Sequence, residues 1–250
     1  MKIHQEVLKA EKQIRKFIRK TPIEFSPYLS KLCNCNVYLK LESEQLTGSF
    51  KIRGAFNKLL SCKSELNNGF ITASTGNHGK AVAYVSKMLN LKGTVYVPKK
   101  VSKTKLEAIK FYGINIKKYD GTSGETEIHA RKVAEKQEIP FISPYNDIDI
   151  VAGQGTVGYE IWEQLQDINA VFVCIGGGGL ISGIAGYLKH KNKSLKVLGC
   201  EPRNSCAMSV SIKAGKVIEV EHKPTLSDGS AGGIEPGSIT FDFCSKYVNE

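Results

Sequence analysis

The sequence predicts an α/β fold, a mostly parallel sheet with helices on both faces, and two observations carry that expectation. Strand-like and helix-like segments alternate through most of the 250 residues. Three turns containing glycine each follow a strand-like segment and open a helical one. Such alternation is what βαβ units produce, and sheets of this kind bury both faces under helices.

The elements follow in order. Ile3, Val7, Leu8, Ile14, Phe17 and Ile18 recur at helical spacing, with Lys2, Lys9, Lys12, Arg15, Lys16, Arg19 and Lys20 between them. This predicts an amphipathic N-terminal helix with a solvated basic face, ended by Thr21-Pro22. Apolar runs predict strands over 36–41, 69–73, 93–98, 114–118, 140–142, 170–175 and 195–200. Helices are predicted over 50–60, 78–89, 102–112, 124–138, 149–165, 180–190 and 204–214. The stretch 224–237, PTLSDGSAGGIEPG, is rich in turn residues and reads as a loop. No internal repeat or low-complexity tract interrupts this order.

Composition excludes several classes of function. No stretch is long and apolar enough to span a bilayer, and the first residues lack an apolar signal core, so a cytoplasmic protein is expected. Seven cysteines form no C-x-x-C pair and no zinc pattern, which fits reduced thiols and no metal. The formal net charge is +11, but the lysines are dispersed and no aromatic–basic interleaving is present. A nucleic-acid partner is therefore not expected, whereas an anionic small molecule suits the charge.

The chemistry-bearing residues lie at the three turns. Lys51 stands in Thr47-Gly48-Ser49-Phe50-Lys51-Ile52-Arg53-Gly54, where a strand gives way to a helix. Positive charge at a helix N-terminus disfavours a nearby ammonium, and a partly neutral lysine can serve as nucleophile or base. The second turn is Ser74-Thr75-Gly76-Asn77-His78-Gly79, and the third is Gly176-Gly177-Gly178-Gly179. Both expose backbone N–H groups at a helix start, which makes each an anion cradle. In open α/β sheets ligands sit beyond the carboxyl ends of the strands, where all three turns lie. Asn77 also fits a plain turn-former, and His78 a structural histidine. Glu201, about 20 residues after the glycine run, matches the ribose acid of a dinucleotide site, but the third glycine of that fingerprint is missing because Ile181 occupies its place.

Taken together, the segments TGSFKIRGAFNKL (47–59), STGNHGKAVAYVSK (74–87), VAGQGTVGYEI (151–161) and GGGGLISGIAGYLK (176–189) resemble the fold type II pyridoxal-phosphate enzymes, most closely the serine/threonine dehydratase and serine racemase group. The Ser-Phe-Lys-Ile-Arg-Gly text around Lys51 has the dehydratase-like form. The resemblance implies two domains, the larger from 1–50 and 146–250 and the smaller from 51–145. It implies pyridoxal 5'-phosphate as cofactor, a small amino acid as substrate and a homodimer. Lys51 would bond to the cofactor and then remove the substrate α-proton. Gly176, Gly177, Gly178, Gly179 and Leu180 would hold the phosphate, Asn77 the phenolic oxygen, and Phe50 would pack beside the ring, with Gly229 near it. Ser74, Thr75, Gly76, Asn77 and His78 would wrap the substrate carboxylate.

Thr75 bears on the reaction. Racemase-type members carry serine there to serve the opposite face of the α-carbon, and a β-branched hydroxyl is the stiffer proton carrier. This favours elimination from a 3-hydroxy amino acid such as L-threonine or L-serine, with racemisation or a catalytically impaired remnant as the alternatives. Ala207 stands where some relatives have a second metal carboxylate, which argues against a bound cation. Family members continue past Glu250, so an incomplete larger domain with an exposed apolar face is also expected.

Overall fold

The computed structural model describes residues 2–249. In chain order its helices are α1 Ile3–Ile14, α2 Pro27–Cys33, α3 Lys51–Ser61, α4 Asn77–Leu89, α5 Lys103–Lys110, α6 Ser123–Lys136, α7 Ile148–Gln164, α8 Gly179–Lys191, α9 Ala207–Ala214 and α10 Ile239–Tyr247. Its strands are β1 Ile23–Phe25, β2 Tyr38–Lys40, β3 Phe70–Ala73, β4 Gly93–Pro98, β5 Asn115–Tyr119, β6 Ala170–Cys174 and β7 Lys196–Cys200.

One parallel sheet has the order β3-β4-β5, with Ile71 opposite Thr94 and Val95 opposite Ile116. Every residue of β3 is buried, because helices cover both faces. Ala83 of α4 and Leu106 and Ile109 of α5 pack on Val95 and Val97, while Ala130 and Ala134 of α6 pack on Ile71, Ala73 and Tyr96. Behind α4, the apolar stripe of α3 (Ile52, Ala55, Phe56 and Leu59) closes a second cluster with Val82 and Val85.

The other parallel sheet pairs β6 with β7, Val171 opposite Val197. Its inner face meets the largest cluster, where Val7, Val151, Ile181, Ile184, Tyr187 and Met208 join α1, α7, α8 and α9. The outer face is open among the described residues, with the Phe172 ring 70 % exposed. The expected helices on both faces therefore hold for the β3-β4-β5 sheet and not for this one. The expected exposed apolar face lies here.

Three other expectations need correction. The 36–41 segment is not part of a parallel sheet: β2 pairs antiparallel with β1 in a short ribbon, Ile23 opposite Lys40. The 140–142 segment forms only a bridge between Phe141 and Ile71. The N-terminal helix ends at Ile14 and passes into a 3-10 turn, Arg15–Phe17, and Leu8 is exposed rather than packed. Pro22 does not set that end, which falls several residues earlier. α2, α10 and β1 were not anticipated. β1 has only three residues, and α2 has no buried residue, so neither displays a periodic apolar pattern.

Two features seat α3 and α8. Gly183 of α8 lies against Gly155 of α7, and a Cβ added at 183 would come within 2.6 Å of the Gly155 N and Cα atoms. Backbone atoms at such a crossing cannot yield, so Gly183→Ala should destabilise the fold by about 1–3 kcal/mol, toward the upper end. Urea unfolding would show this as a lower midpoint with an unchanged slope. Secondly, Arg53, two residues after Lys51, is fully buried in a network of three carboxylates and three cations. Its guanidinium donates to Glu160 at 2.7 and 2.9 Å and to Glu42 at 2.8 Å. Arg15 donates to Glu160 and Glu11, and Lys40 to Glu160. Arg15 thus leaves the solvated basic face predicted for it.

Candidate active site

Lys51 is the first residue of α3, delivered by a turn in which Gly48 adopts φ 71°. That left-handed backbone favours glycine. The ammonium donates to the Pro144 carbonyl at 2.8 Å and lies 5.4 Å from the Phe50 ring centroid. Its pKa falls to about 8, chiefly through burial and against an opposing pull from Glu127. The expectation of a depressed lysine is met in direction, but desolvation rather than the helix dipole is the main cause. At such a value roughly a tenth of the population is neutral at pH 7.

The Ser74–Gly76 turn connects β3 to α4. Ser74 Oγ accepts the Gly76 N–H at 3.2 Å, and Asn77 begins α4 with an exposed side chain. Outside Thr75 lies a hollow of about 510 Å³ whose rim carries Lys99, Lys100 and Lys105 together with Asp120 and Glu125. His78 is buried. Thr72 Oγ1 gives its proton to the Ile142 carbonyl at 2.7 Å, so it accepts at 3.1 Å from His78 Nε2–H. That assigns the tautomer and leaves Nδ1 as a lone acceptor with no partner. Burial first, then the Lys51 charge, holds His78 down at about 3.

The glycine run follows β6 and opens α8. Gly178 has φ 84°, and a Cβ there would meet Met208 Cε at 2.7 Å and Thr240 Cβ at 3.0 Å. Gly177 and Gly179 lie against Tyr145, whose ring would be struck by a side chain at 177. Thr240 Oγ1 donates to the Gly177 carbonyl at 2.6 Å. Leu180 is the second residue of α8 and packs at the edge of the main core. Gly229 sits in the exposed Asp228–Ser230 turn with open space around its Cα, while the backbone of Ser230 lies 3.3 Å from a Cβ built on Gly176.

The segment 141–145 ties these pieces together and was not anticipated. The Ile142 carbonyl meets Thr72, the Pro144 carbonyl takes the Lys51 proton donor, and Tyr145 lines the glycine run. Burial and the charge of Glu235 push the Tyr145 phenol pKa up, so its hydroxyl stays protonated while accepting the Glu235 N–H at 3.0 Å. A signal existed in the sequence: these residues follow the carboxyl end of a predicted strand, where ligands gather. Glu201, by contrast, has an ordinary use. Both its oxygens cap the start of α9, accepting from Met208 N and Ser209 N.

The site residues fit a phosphate-bearing aldehyde cofactor. The backbone at 176–179 forms a side-chain-free cradle at a helix start. Three buried polar atoms in the Lys51 and His78 turns, Thr47 Oγ1, Ser49 Oγ and His78 Nδ1, have no partner within the protein. Buried polar groups are normally paired, and a polar ligand is one way to pair them.

A parallel-sheet α/β protein with a part-buried lysine at one helix start and a glycine run at another, joined through Pro144 and Tyr145, has the features of a fold type II cofactor enzyme. The chain belongs to the pyridoxal-phosphate dependent enzyme family, whose profile matches residues 14–250, and within it to the serine/threonine dehydratase-like group. It is 39 % identical over 251 residues to the biosynthetic L-threonine dehydratase IlvA of Halalkalibacterium halodurans, covering 98 % of this chain and 60 % of that one. It is 36 % identical to the L-threonine ammonia-lyase of Thermotoga maritima, covering 98 % and 61 %. Among solved structures, maize serine racemase superposes with a TM-score of 0.92 at 31 % identity, covering 98 % of this chain and 76 % of that one. Threonine deaminase isoform 2 of Solanum lycopersicum gives 0.91 at 33 %, covering 99 % and 72 %. The chain thus spans about 60 % of the length of the first two curated relatives. Among the described residues, no helix is long and apolar enough to cross a membrane.

Proposed function

We propose that the protein catalyses pyridoxal-phosphate dependent β-elimination of a 3-hydroxy amino acid, L-threonine or L-serine, to a 2-oxo acid and ammonia. The observation that carries this is Lys51, with a pKa near 8, bonded to the Pro144 carbonyl next to Tyr145, the residue that lies against Gly177 and Gly179. Relatives named threonine dehydratase and threonine ammonia-lyase support it. The cofactor, when bound, withdraws electrons from the substrate α-carbon.

The remaining roles fall to the chain. Backbone N–H groups of Gly176 to Leu180 bind the phosphate at the α8 start. Ser74, Thr75, Gly76, Asn77 and His78 orient the substrate carboxylate, while Asn77 and Phe50 position the ring, with Gly229 near it. Lys51 Nζ, once neutral, takes the α-proton, and the Pro144 carbonyl that now accepts its hydrogen bond aims it. Neutral His78 places no second positive charge beside Lys51. Residues 51–145 would act as the smaller domain, and 1–50 with 146–250 as the larger, around this cleft.

We extend the reading to a cytoplasmic homodimer. The seven free thiols suit a reducing compartment, and the exposed Phe25, Tyr38 and Leu39 of the β1–β2 ribbon offer an apolar surface. Sedimentation velocity giving only monomer at micromolar concentration would remove the dimer from this reading.

The test uses the full chain with pyridoxal phosphate. Wild type should show a yellow absorption band that is absent in Lys51→Ala. It should release 2-oxo acid from L-threonine or L-serine, and Lys51→Ala should lose at least about a thousandfold in rate. A band that survives in Lys51→Ala would overturn the assignment of the lysine. Conversion of L-serine to D-serine without 2-oxo acid would replace elimination by racemisation.

A further inference from the structure

The loop after α9 passes beside the glycine cradle and is tied at both ends to helices of the β3-β4-β5 sheet. At one end Asp228 pairs with Lys105 of α5. At the other, Glu235 pairs at 2.9 Å with Arg131 of α6, which also binds Glu127 at 2.8 Å and stacks 4.3 Å from the Phe141 ring centroid. Between these ends the backbone of Ser230 lies over Gly176, and the Glu235 N–H donates to Tyr145, the residue that lines Gly177 and Gly179.

Between the two ends, the Gly232 N–H also donates to Ser205 Oγ at 3.0 Å. A Cβ built on Gly229, Gly232 or Gly237 would meet no atom within 4 Å, and Leu226 is fully exposed. Gly232 and Gly237 have φ 147° and 73°, left-handed conformations that favour glycine. Ile234 is the one apolar side chain from this loop that is buried. Arg131 keeps a third of its side chain exposed, so the pair that holds the loop is open to screening by salt, unlike a fully buried pair.

We propose that residues 226–237 form a strap latched over the Gly176–Gly179 cradle by the Arg131–Glu235 and Lys105–Asp228 ion pairs, and that opening the latch admits and releases the ligand of the cradle. The phosphate role of the cradle rests on the functional reading above; the latch itself does not. Because Arg131 also holds Glu127, the carboxylate that opposes the fall in the Lys51 pKa, the strap and the lysine share one cation.

Hydrogen exchange of the full chain without added cofactor tests the latch directly. Glu235→Gln should speed exchange of the 230–235 amides about tenfold, and Lys105→Met should do so by a smaller factor. Both should leave α7 and α8 as protected as in wild type. Raising NaCl to about 1 M should mimic the variants in wild type. Stopped-flow absorbance with pyridoxal phosphate should then show faster association and faster dissociation in Glu235→Gln. Unchanged exchange at 230–235 in both variants, or loosening that spreads into α7 and α8, would overturn the latch. If wild type fails to bind pyridoxal phosphate, the functional reading falls while the exchange result still decides the strap. Glu235→Gln keeps the Arg131–Glu127 pair, which guards against loss of fold.

Discussion

Glu160→Gln should cost about 3–5 kcal/mol of stability, because it leaves buried cations without their main partner. Glu160 is fully buried and accepts from Arg53, Arg15, Lys40 and the Thr21 backbone. Despite the burial penalty, these donors hold its carboxyl at about 2. Arg53 has no solvent exposure, so it cannot recover hydration when the acid is removed. With about 2–4 °C of melting temperature per kcal/mol in a protein of this size, the midpoint should fall by roughly 6–20 °C. A double-mutant cycle separates the pair from its surroundings. In that cycle Arg53→Met and Glu160→Met should each be as damaging alone, while the two together should cost clearly less than their sum. Additive losses would mean that the two residues do not act as a unit. The consequence reaches the site, since Arg53 sits half a turn beyond Lys51 and fixes α3 on α7.

That network shows where reading the sequence stops. Arg53 was visible in the Lys51 motif, and Glu160 lay in a predicted helix, yet they are 107 residues apart. Pairing at that separation leaves no periodic or local signal, so a basic residue reads as a solvated one. Arg15 was misread for the same reason. The strand–turn–helix junctions were legible because each is local. An apolar run of β spacing, a glycine where the backbone turns back, and an apolar helix face all lie within about 15 residues. The Lys51, Ser74–His78 and Gly176–Gly179 turns could therefore be placed before any coordinates. Segment 141–145 escaped because its contribution is mainly through carbonyls, and backbone atoms have no sequence signature. The direction of the Lys51 shift was foreseen from its place at a helix start. The dominant cause was not, since burial depends on what packs around the lysine.

Acid should expose His78 before it exposes the ion network. A histidine whose folded pKa is near 3 and whose unfolded pKa is near 6.5 binds protons preferentially in the unfolded chain between those values. Its contribution to stability is complete above pH 6.5 and is lost as pH falls toward 3. Glu160, depressed from 4.5 to about 2, contributes in the same direction, but its loss begins only below about pH 4.5. From pH 6.5 to 4.5 the histidine titrates ahead of Glu160, while His4, lowered by burial, and Glu127, raised by burial, act there with opposite signs. Over those two units one buried neutral imidazole accounts for about 2–3 kcal/mol. Urea unfolding of the chain without cofactor should show that loss in wild type and a nearly flat profile in His78→Gln. The geometry explains why the proton is refused. Nε2–H is already bonded to Thr72, Nδ1 has no acceptor to receive a new N–H, and the Lys51 ammonium repels a second charge. Lys51→Met removes only the last of these, so it should leave the limb from pH 6.5 to 4.5 unchanged and end the loss at a somewhat higher pH. A wild-type profile that is flat from pH 6.5 to 4.5 would mean that His78 protonates freely in the folded protein, and with it would go the neutral imidazole beside the lysine.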